Sequence, residues 1–456
     1  MLTVLTPSQM AAVDAAAADD VEVLIRRAAG AVARTAIELM GGTYGRRVVV
    51  VAGPGNNGND GRVAAEILRR RGVRATVHDA ADAPEVLGPA DLVIDAAFGT
   101  GFRGTYSFPD PDGAPVLAVD IPSGVSGLTG VAAGRPTRAL ATVTFAALKP
   151  GLLLNDGPAY AGEVVVADIG LDVEDREVVR GPVAHLVTDA DVLAWVPERR
   201  ADDHKWRHAV RLVAGSPGMT GAARLSATAA LRAGAGYVRL TVPGEDRPEA
   251  PVEAVVEPLS ADGWAAAVAG DASRFGCVAI GPGLGRGPAT AKEVRAALRS
   301  IERPVVLDGD GLWAIADSAV EALHDRPAPT VLTPHDGEFE HLTGGRPGED
   351  RVEAARSLAG DTGAVVLLKG PTTVVADPDG DALLVRAGDA RLATAGTGDV
   401  LTGTIAALIA SGATPFHAAA AGAHLHGRAA MLGPARGLVA DDVAEALPAA
   451  WDSLTD

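Results

Sequence analysis

The sequence predicts an α/β protein made of two consecutive units, each an open, mainly parallel sheet covered by helices. Three observations lead there. Short apolar runs recur along the chain, such as the continuous run 48–52 and the strand-like 209–214, interrupted only by Arg211, and they suit strands buried on both faces. Segments with helical period alternate with them. The composition is 48% hydrophobic but only 4% aromatic, with 55 Gly and 30 Pro in 456 residues, and such small residues suit packed layers joined by tight turns. The length allows two or three domains. A charged, irregular stretch at 171–207 divides the chain into a first domain, 1–175, a boundary region, 176–207, and a second domain, 208–456.

Residues 1–45 read as helices, with Thr6 or Ser8 capping the first and apolar positions at helical spacing from Val21 to Met40. The period then changes. Residues 48–52 read as a strand, 53–61 as a glycine-rich loop and 62–71 as a helix, a Rossmann-like frame. Gly53, Gly55 and Gly58 match G-x-G-x-x-G, and Asp79 lies where a ribose-binding acid would fall, so a dinucleotide-dependent dehydrogenase is one reading. Asn59 in place of a lysine excludes a P-loop. The cluster Asn56, Asn57, Asn59 and Asp60 offers donors and acceptors that suit a sugar, an amide or a hard cation, although an Asn/Gly turn tolerating positive φ would also explain it.

Two further strands end in polar groups. Residues 91–97 carry Asp95 ahead of Gly99-Thr100-Gly101-Phe102-Arg103-Gly104, and 115–119 lead into Asp120 and Ile121-Pro122-Ser123-Gly124. Open α/β sheets bind ligands at the carboxyl ends of their strands, so these polar loops describe one site. Oxygen atoms of Asn57, Asp95 and Ser123 could hold a monovalent or other hard cation there. Strands at 141–146, ending near Lys149, and at 163–169 complete the unit.

The second unit repeats the construction. Strands are expected at 209–214, 237–242, 278–280, 304–307, 330–332 and 364–368, with a helix at 222–234. They run into Gly281-Pro282-Gly283-Leu284-Gly285, Asp308-Gly309-Asp310, Thr333-Pro334-His335-Asp336-Gly337-Glu338 and Lys369-Gly370-Pro371-Thr372-Thr373. The turn Ala395-Gly396-Thr397-Gly398 then enters an apolar helix with Asp399 at its start. Exposed N–H groups of a helix N-terminus attract a phosphate, and an acid beside one is placed for proton transfer. An ordinary helix cap is the plain alternative.

The formal charge of −18 argues against a nucleic-acid surface. Cys277 is the only cysteine, so a disulfide framework and a thiolate metal site are excluded, and a reducing cytoplasm is expected. The N-terminus lacks a basic region followed by an apolar core, so no signal peptide is expected. No apolar run is long and clean enough to span a membrane.

The ordered motifs GSPGMTGA, GPGLG, TPHDGEFEHL, KGPTTVV and LATAGTGDVLTG resemble those of the ADP/ATP-dependent NAD(P)H-hydrate dehydratases, which have a ribokinase-like α/β fold. LIRRAAGAVA, GPGNNGNDG, DAAFGTGFRG and VDIPSG resemble the NAD(P)H-hydrate epimerases. Almost the whole chain therefore resembles an epimerase–dehydratase fusion that repairs hydrated NADH and NADPH. The resemblance implies that Asn56, Asn57, Gly58, Asn59 and Asp60 contact the hydrated dinucleotide. It implies that Gly99, Thr100, Gly101, Phe102, Arg103, Gly104 and Thr105 wrap its phosphates, and that Asn57, Asp95 and Ser123 bind potassium. Asp120 would sit at the altered ring as acid or base, with Lys149 the second catalytic candidate. In the second half Ala222, Gly283 or Gly285, and His335 would line the substrate pocket. Lys369, Gly370, Pro371, Thr372, Thr373 and Gly398 would hold ADP or ATP with magnesium, and Asp399 would act at the transferred phosphoryl group.

Four departures from these patterns stand out: Asn59 where glycine is common, Asp308-Gly309-Asp310 for Asp-Ala-Asp, Pro371 in the nucleotide loop, and His204-Lys205-Trp206 for Asn-Lys-Tyr. Rival readings are a small-molecule kinase of the ribokinase-like superfamily and, for the first half, a binding or scaffold module. A homo-oligomer built through exposed helices is expected.

Overall fold

Apolar runs buried on both faces make the centre of the first sheet, and its two edge strands are partly exposed. Its strands are β1 (Arg47–Ala52), β2 (Arg74–Asp79), β3 (Leu92–Ala96), β4 (Val116–Val119), β5 (Ala141–Phe145) and β6 (Glu163–Ala167). All neighbours are parallel, in the order β2-β1-β3-β4-β5-β6. Helices α1 (Pro7–Ala15), α2 (Val21–Met40) and α3 (Asn56–Arg70) accompany it. Ala29, Val32, Ala36, Ala65 and Leu68 of α2 and α3 join Val48, Val50 and Ile94 in one core. Val49, Val51, Val93, Leu87 and Phe108 form a second core from the alternate strand positions. The chain order reverses between β1 and β3, and this crevice is where an open α/β sheet opens to a ligand.

The computed structural model describes residues 1–455, which divide into two compact units at Val183/Ala184. Much of the stretch expected to link them is thus built into the second unit. Ala184–Leu186 (β7) pairs in parallel with Ala382–Val385, and Asp189–Trp195 is a helix with Thr188 as its cap.

The second sheet continues with β8 (Ala209–Val213), β9 (Tyr237–Thr241), β10 (Val255–Val256), β11 (Cys277–Ile280), β12 (Val305–Leu307), β13 (Thr330–Leu332), β14 (Val365–Leu368), β15 (Thr373–Ala376) and β16 (Ala382–Val385). Within this unit the order is β7-β16-β15-β14-β13-β12-β11-β8-β9-β10. Only β14–β15 and β15–β16 are antiparallel. Its helices include α4 (Gly221–Arg232), α5 (Pro288–Ser300), α6 (Asp310–Ile315), α7 (Asp336–Thr343), α8 (Arg351–Thr362), α9 (Thr397–Ala410), α10 (Pro415–Leu432) and α11 (Ala440–Asp452). Every residue of α9 from Val400 to Ala410 is buried, as expected for a helix that is apolar all round. Gly403 allows its close approach to α4: a Cβ there would lie 2.1 Å from the Ser226 carbonyl oxygen.

Two local expectations are corrected. The polar stretch 56–60 is the opening of α3 rather than a loop. Asn and Asp are read as turn residues because their side chains compete for backbone groups, but a first helical turn has unpaired N–H groups and tolerates them. Asn59 is exposed on this regular helix, so replacing a glycine there strains nothing. Thr373 opens β15 instead of closing a loop. No described helix is long and apolar enough to cross a membrane.

Candidate active sites at the strand ends

At the crevice of the first unit lies a cleft of about 760 Å³, within the size range of small-molecule sites. It is lined by Asn56, Asn57 and Asp60 of α3, by Gly99, Thr100, Gly101 and Phe102 after β3, by Asp120 after β4, by Lys149 and by Asp14 of α1. Of the G-x-G-x-x-G glycines, Gly53 and Gly58 serve packing, whereas Gly55 lines the cleft with open space beside it. A Cβ at Gly53 would lie 1.8 Å from the Ala97 carbonyl oxygen, and one at Gly58 would lie 1.9 Å from that of Gly53. Asp79, the ribose-binding candidate, is ion-paired with Arg62, which also donates to the Gly53 carbonyl at 2.7 Å. The acid of the dehydrogenase reading is therefore already engaged.

Asp120 is the centre of this cleft. Its backbone has φ 67°, an uncommon left-handed conformation for a non-glycine residue, and strain of this kind concentrates at functional sites. The Lys149 ammonium sits 2.8 Å from Asp120 Oδ1. The Thr144 hydroxyl donates to Oδ1 and the Thr100 N–H to Oδ2, each at 3.2 Å. Lys149 also donates to Thr144 Oγ1 at 2.8 Å and to the Phe145 carbonyl at 2.9 Å. Burial would raise the Asp120 carboxyl, but Lys149 and these hydrogen bonds hold it below the ordinary carboxylate value. Asp60 goes the other way: burial, and then the charges of Asp120 and Asp14, push it up to about 8. One cleft thus holds an ionised and a neutral carboxyl.

Asp95 and Ser123 are fully buried below. Ser123 donates its N–H to Asp95 Oδ2 at 2.8 Å and its hydroxyl to Oδ1 at 2.5 Å, while Ser123 Oγ accepts the Phe98 N–H at 2.8 Å. Burial lifts Asp95 to about 6 against the hydrogen bonds that lower it. Both amide atoms of Asn57 are buried and have no hydrogen-bond partner. Asn57 packs beside Gly99, so all three side chains border the 97–99 backbone. Arg103, Gly104 and Thr105 are exposed and lie outside the cleft lining. Phe102 stacks on Phe98 with ring centroids 4.2 Å apart and fixes the base of their loop.

In the second unit the ends of β12, β13 and β14 meet the start of α9. The Lys369 ammonium lies 2.6 Å from Asp308 Oδ1 and 3.9 Å from Glu338 Oε2. Thr333 donates to Asp308 Oδ1 at 2.7 Å and Thr402 to Oδ2 at 2.8 Å. A Cβ on Gly398 would lie 3.5 Å from Lys369 Nζ and 3.9 Å from Asp308 Oδ2, which puts the glycine turn over this cluster. Asp399 sits in the first turn of α9. Burial first, then the Asp308 charge, raise its carboxyl to about 7 although Lys369 pulls it down.

Gly283 and Ala222 adjoin, since a Cβ on the first would lie 3.1 Å from that of the second. The Gly285 N–H donates to Asp310 Oδ2 at 2.8 Å. Gly309 takes φ 55°, a left-handed backbone that explains glycine between the two aspartates. His335 caps α7: its Nδ1 accepts the N–H groups of Gly337 at 3.0 Å and Glu338 at 3.1 Å, and its ring is largely exposed. The loop 369–372 is braced by Arg351, which donates to the Lys369 carbonyl at 2.7 Å and pairs with Asp336 at 2.9 Å.

Asp14, Thr144, Thr402 and Arg351 are not among the residues the motifs single out, and Thr333 enters them only as the first residue of its strand-end motif. Thr402 three residues beyond Asp399 was a legible helical neighbour, whereas Asp14 and Arg351 reach their sites only through tertiary packing. Among the described residues no group of three or more His, Cys, Asp or Glu is arranged to hold a metal ion.

Comparison with known proteins finds relatives of both units. Residues 210–449 match the family described as NAD(P)H-hydrate dehydratase, and residues 21–87 and 76–151 match the YjeF-related protein N-terminus. The bifunctional NAD(P)H-hydrate repair enzyme of Mycobacterium leprae is 39% identical over 91% of this chain and 90% of its own length. That of Salinibacter ruber is 37% identical over 88% of this chain and 86% of its own. The ADP/ATP-dependent NAD(P)H-hydrate dehydratase of Bacillus subtilis, co-crystallised with ATP and Mg2+, superposes with TM-score 0.51 at 32% identity, covering 59% of this chain and 97% of that one. A ribokinase-like superfamily protein of Enterococcus faecalis, 20% identical over 59% of this chain and 96% of its own with TM-score 0.51, shares the fold.

Proposed function

The chain belongs to the family of bifunctional NAD(P)H-hydrate repair enzymes, and from that premise we propose how the residues of its two sites divide the work. The enzyme interconverts the R and S hydrates of NADH and NADPH and dehydrates the S form in a nucleotide-dependent step.

The hydrated carbon bears a hydroxyl beside the ring nitrogen. Its configuration inverts when the hydroxyl leaves with help from the nitrogen lone pair and water returns on the other face. The departing oxygen must gain a proton and the incoming water must lose one. Asp60, neutral at pH 7, is the donor, and Asp120 is the acceptor, with Lys149 and Thr144 fixing its carboxylate. The pair of carboxyls with separated proton affinities in one cleft is the observation that carries this reading. Asn56 to Asp60 contact the dinucleotide, and the N–H groups of residues 99–102, which line the cleft, receive its phosphates.

Asn57, Asp95 and Ser123 suit potassium: all supply oxygen, the buried Asp95 carboxylate lacks a cationic partner among the described residues, and the Asn57 amide oxygen is unsatisfied. A bound potassium ion would neutralise Asp95 and so remove a negative charge from beneath the phosphate loop.

In the second site, Asp399 takes the proton of the hydrate's hydroxyl as that oxygen attacks the terminal phosphoryl group of ATP or ADP, breaking the phosphoanhydride bond and releasing ADP or AMP. The C–O bond then breaks, phosphate leaves with the oxygen, the ring nitrogen supplies the electron pair, and loss of a proton from the adjacent carbon restores the reduced ring. Lys369 and Gly398 border the phosphates, with Gly370, Pro371 and Thr372 completing the nucleotide loop and Thr373 following as the first residue of β15. Ala222, Gly283, Gly285 and the exposed edge of His335 face the substrate. Asp308, Glu338 and Asp399 outnumber Lys369 in charge, so the polyphosphate enters with magnesium. The test is a product assay on separated hydrates: Asp120→Asn abolishes exchange between R and S but leaves dehydration of pure S hydrate intact, and Asp399→Asn does the reverse. Loss of both activities in either variant with the fold intact overturns this division.

A further inference from the structure

A second groove, of about 450 Å³, lies between α5, α6 and α7 of the second unit, and none of its lining residues belongs to the sites above. Lys292, Arg295 and Arg299 line it from one face of α5, at spacings that bring helical side chains together. Among the described residues none of the three forms an ion pair; Arg295 donates only to the Ala314 carbonyl, at 2.8 Å. Three like charges on one helix face repel, and they stand unneutralised in a chain of formal charge −18. Opposite them, the Trp313 and His341 rings lie parallel within 15°, their centroids 6.1 Å apart.

We propose that this groove is a second nucleotide-binding site, taking a purine nucleotide with its phosphates on Lys292, Arg295 and Arg299 and its base against Trp313 and His341. The cations supply charge-assisted hydrogen bonds to phosphate oxygens, with guanidinium groups matched to their geometry. The indole and imidazole supply a face for a planar base. Inorganic phosphate would leave the rings unused, and so would an acidic peptide. The groove volume fits a ligand of nucleotide size. The site does not depend on the chemistry assigned to the active sites. It does border the GPGLG loop: α6, which carries Trp313, begins at Asp310, whose carboxylate holds the Gly285 N–H and Arg286.

The test uses the full-length protein, equilibrium binding of ADP and photolabelling with 8-azido-ADP followed by peptide mapping. The expected result is label on α5 or α6 in addition to the catalytic site. In Lys292→Gln/Arg299→Gln that second label is lost and the second binding step weakens at least about tenfold, from removal of two charge-assisted contacts. The kcat for dehydration is unchanged in that variant. Trp313→Leu weakens ADP at this site but not inorganic tripolyphosphate. No label on the groove in the unaltered protein, or label that survives the double substitution, overturns the proposal. Equal binding of ADP and tripolyphosphate, both indifferent to Trp313, reduces the groove to a plain anion patch and overturns it as well.

Discussion

Asp60, Asp120 and Asp399 share one side chain and are held at three proton affinities by what surrounds them. Asp60 is raised to about 8, so it is a proton donor at neutral pH and ionises as the pH rises through that value. Asp120 is lowered and stays ionised throughout. Epimerisation should therefore hold from pH 6 to 7 and fall above about pH 8, when the donor is lost and two carboxylates repel in one cleft. Asp399 is raised to about 7, and its basic form disappears as the pH drops below that. Dehydration should accordingly fall towards pH 6 and persist at pH 9. Separate pH profiles of kcat/KM for the two reactions check this; a shared profile contradicts the assignment. Asp399→Asn should lower dehydration by roughly 10²- to 10⁴-fold, the usual worth of a positioned acid–base group. These affinities were not readable from the sequence. The motif reading found the three aspartates, but burial and the partners Thr144, Asp14, Asp308 and Lys369 come from different strands and helices.

At the scale of elements, position follows from backbone fit. α9 brings Asp399 to the strand ends because Gly403 lets its backbone press on α4. Gly403→Ala places a methyl against the Ser226 carbonyl and should destabilise the second unit by about 1–3 kcal/mol, the usual range for overpacking. Denaturant unfolding of the variant would show this, with dehydration impaired more than epimerisation. Strands buried on both faces, such as β1 and β4, were legible because the apolar runs 48–52 and 116–119 are unbroken. β2 escaped notice because Arg74–Asp79 mixes charge with Val and Ala at a sheet edge. β15 and β16 escaped notice because they pair antiparallel through short turns, where a series of parallel strands was expected. The start of α3 was misplaced because its Asn and Gly residues also suit a turn. His335, expected from its motif as a ligand contact, also caps α7 through Nδ1 while its ring stays largely exposed.

For the whole molecule, two polar strand-end sites occur in a chain of formal charge −18 whose substrates are anions. Local positive potential must then come from Lys149, Lys369, backbone N–H groups and bound cations. Replacing potassium by choline at equal ionic strength should slow epimerisation and leave dehydration unchanged; equal rates in both salts would remove the cation from the Asn57, Asp95 and Ser123 site. The central claim is that both sites of this one chain act in sequence on the same damaged nucleotide. It is tested most directly by recovery of reduced-nicotinamide absorbance from a mixture of R and S hydrates of NADH, with ATP or ADP, magnesium and potassium. The account predicts complete recovery by the unaltered protein, and none by Asp399→Asn although that variant still exchanges R and S. Recovery that stops at the S fraction, or nucleotide consumed to leave a stable phosphorylated alcohol, would contradict it.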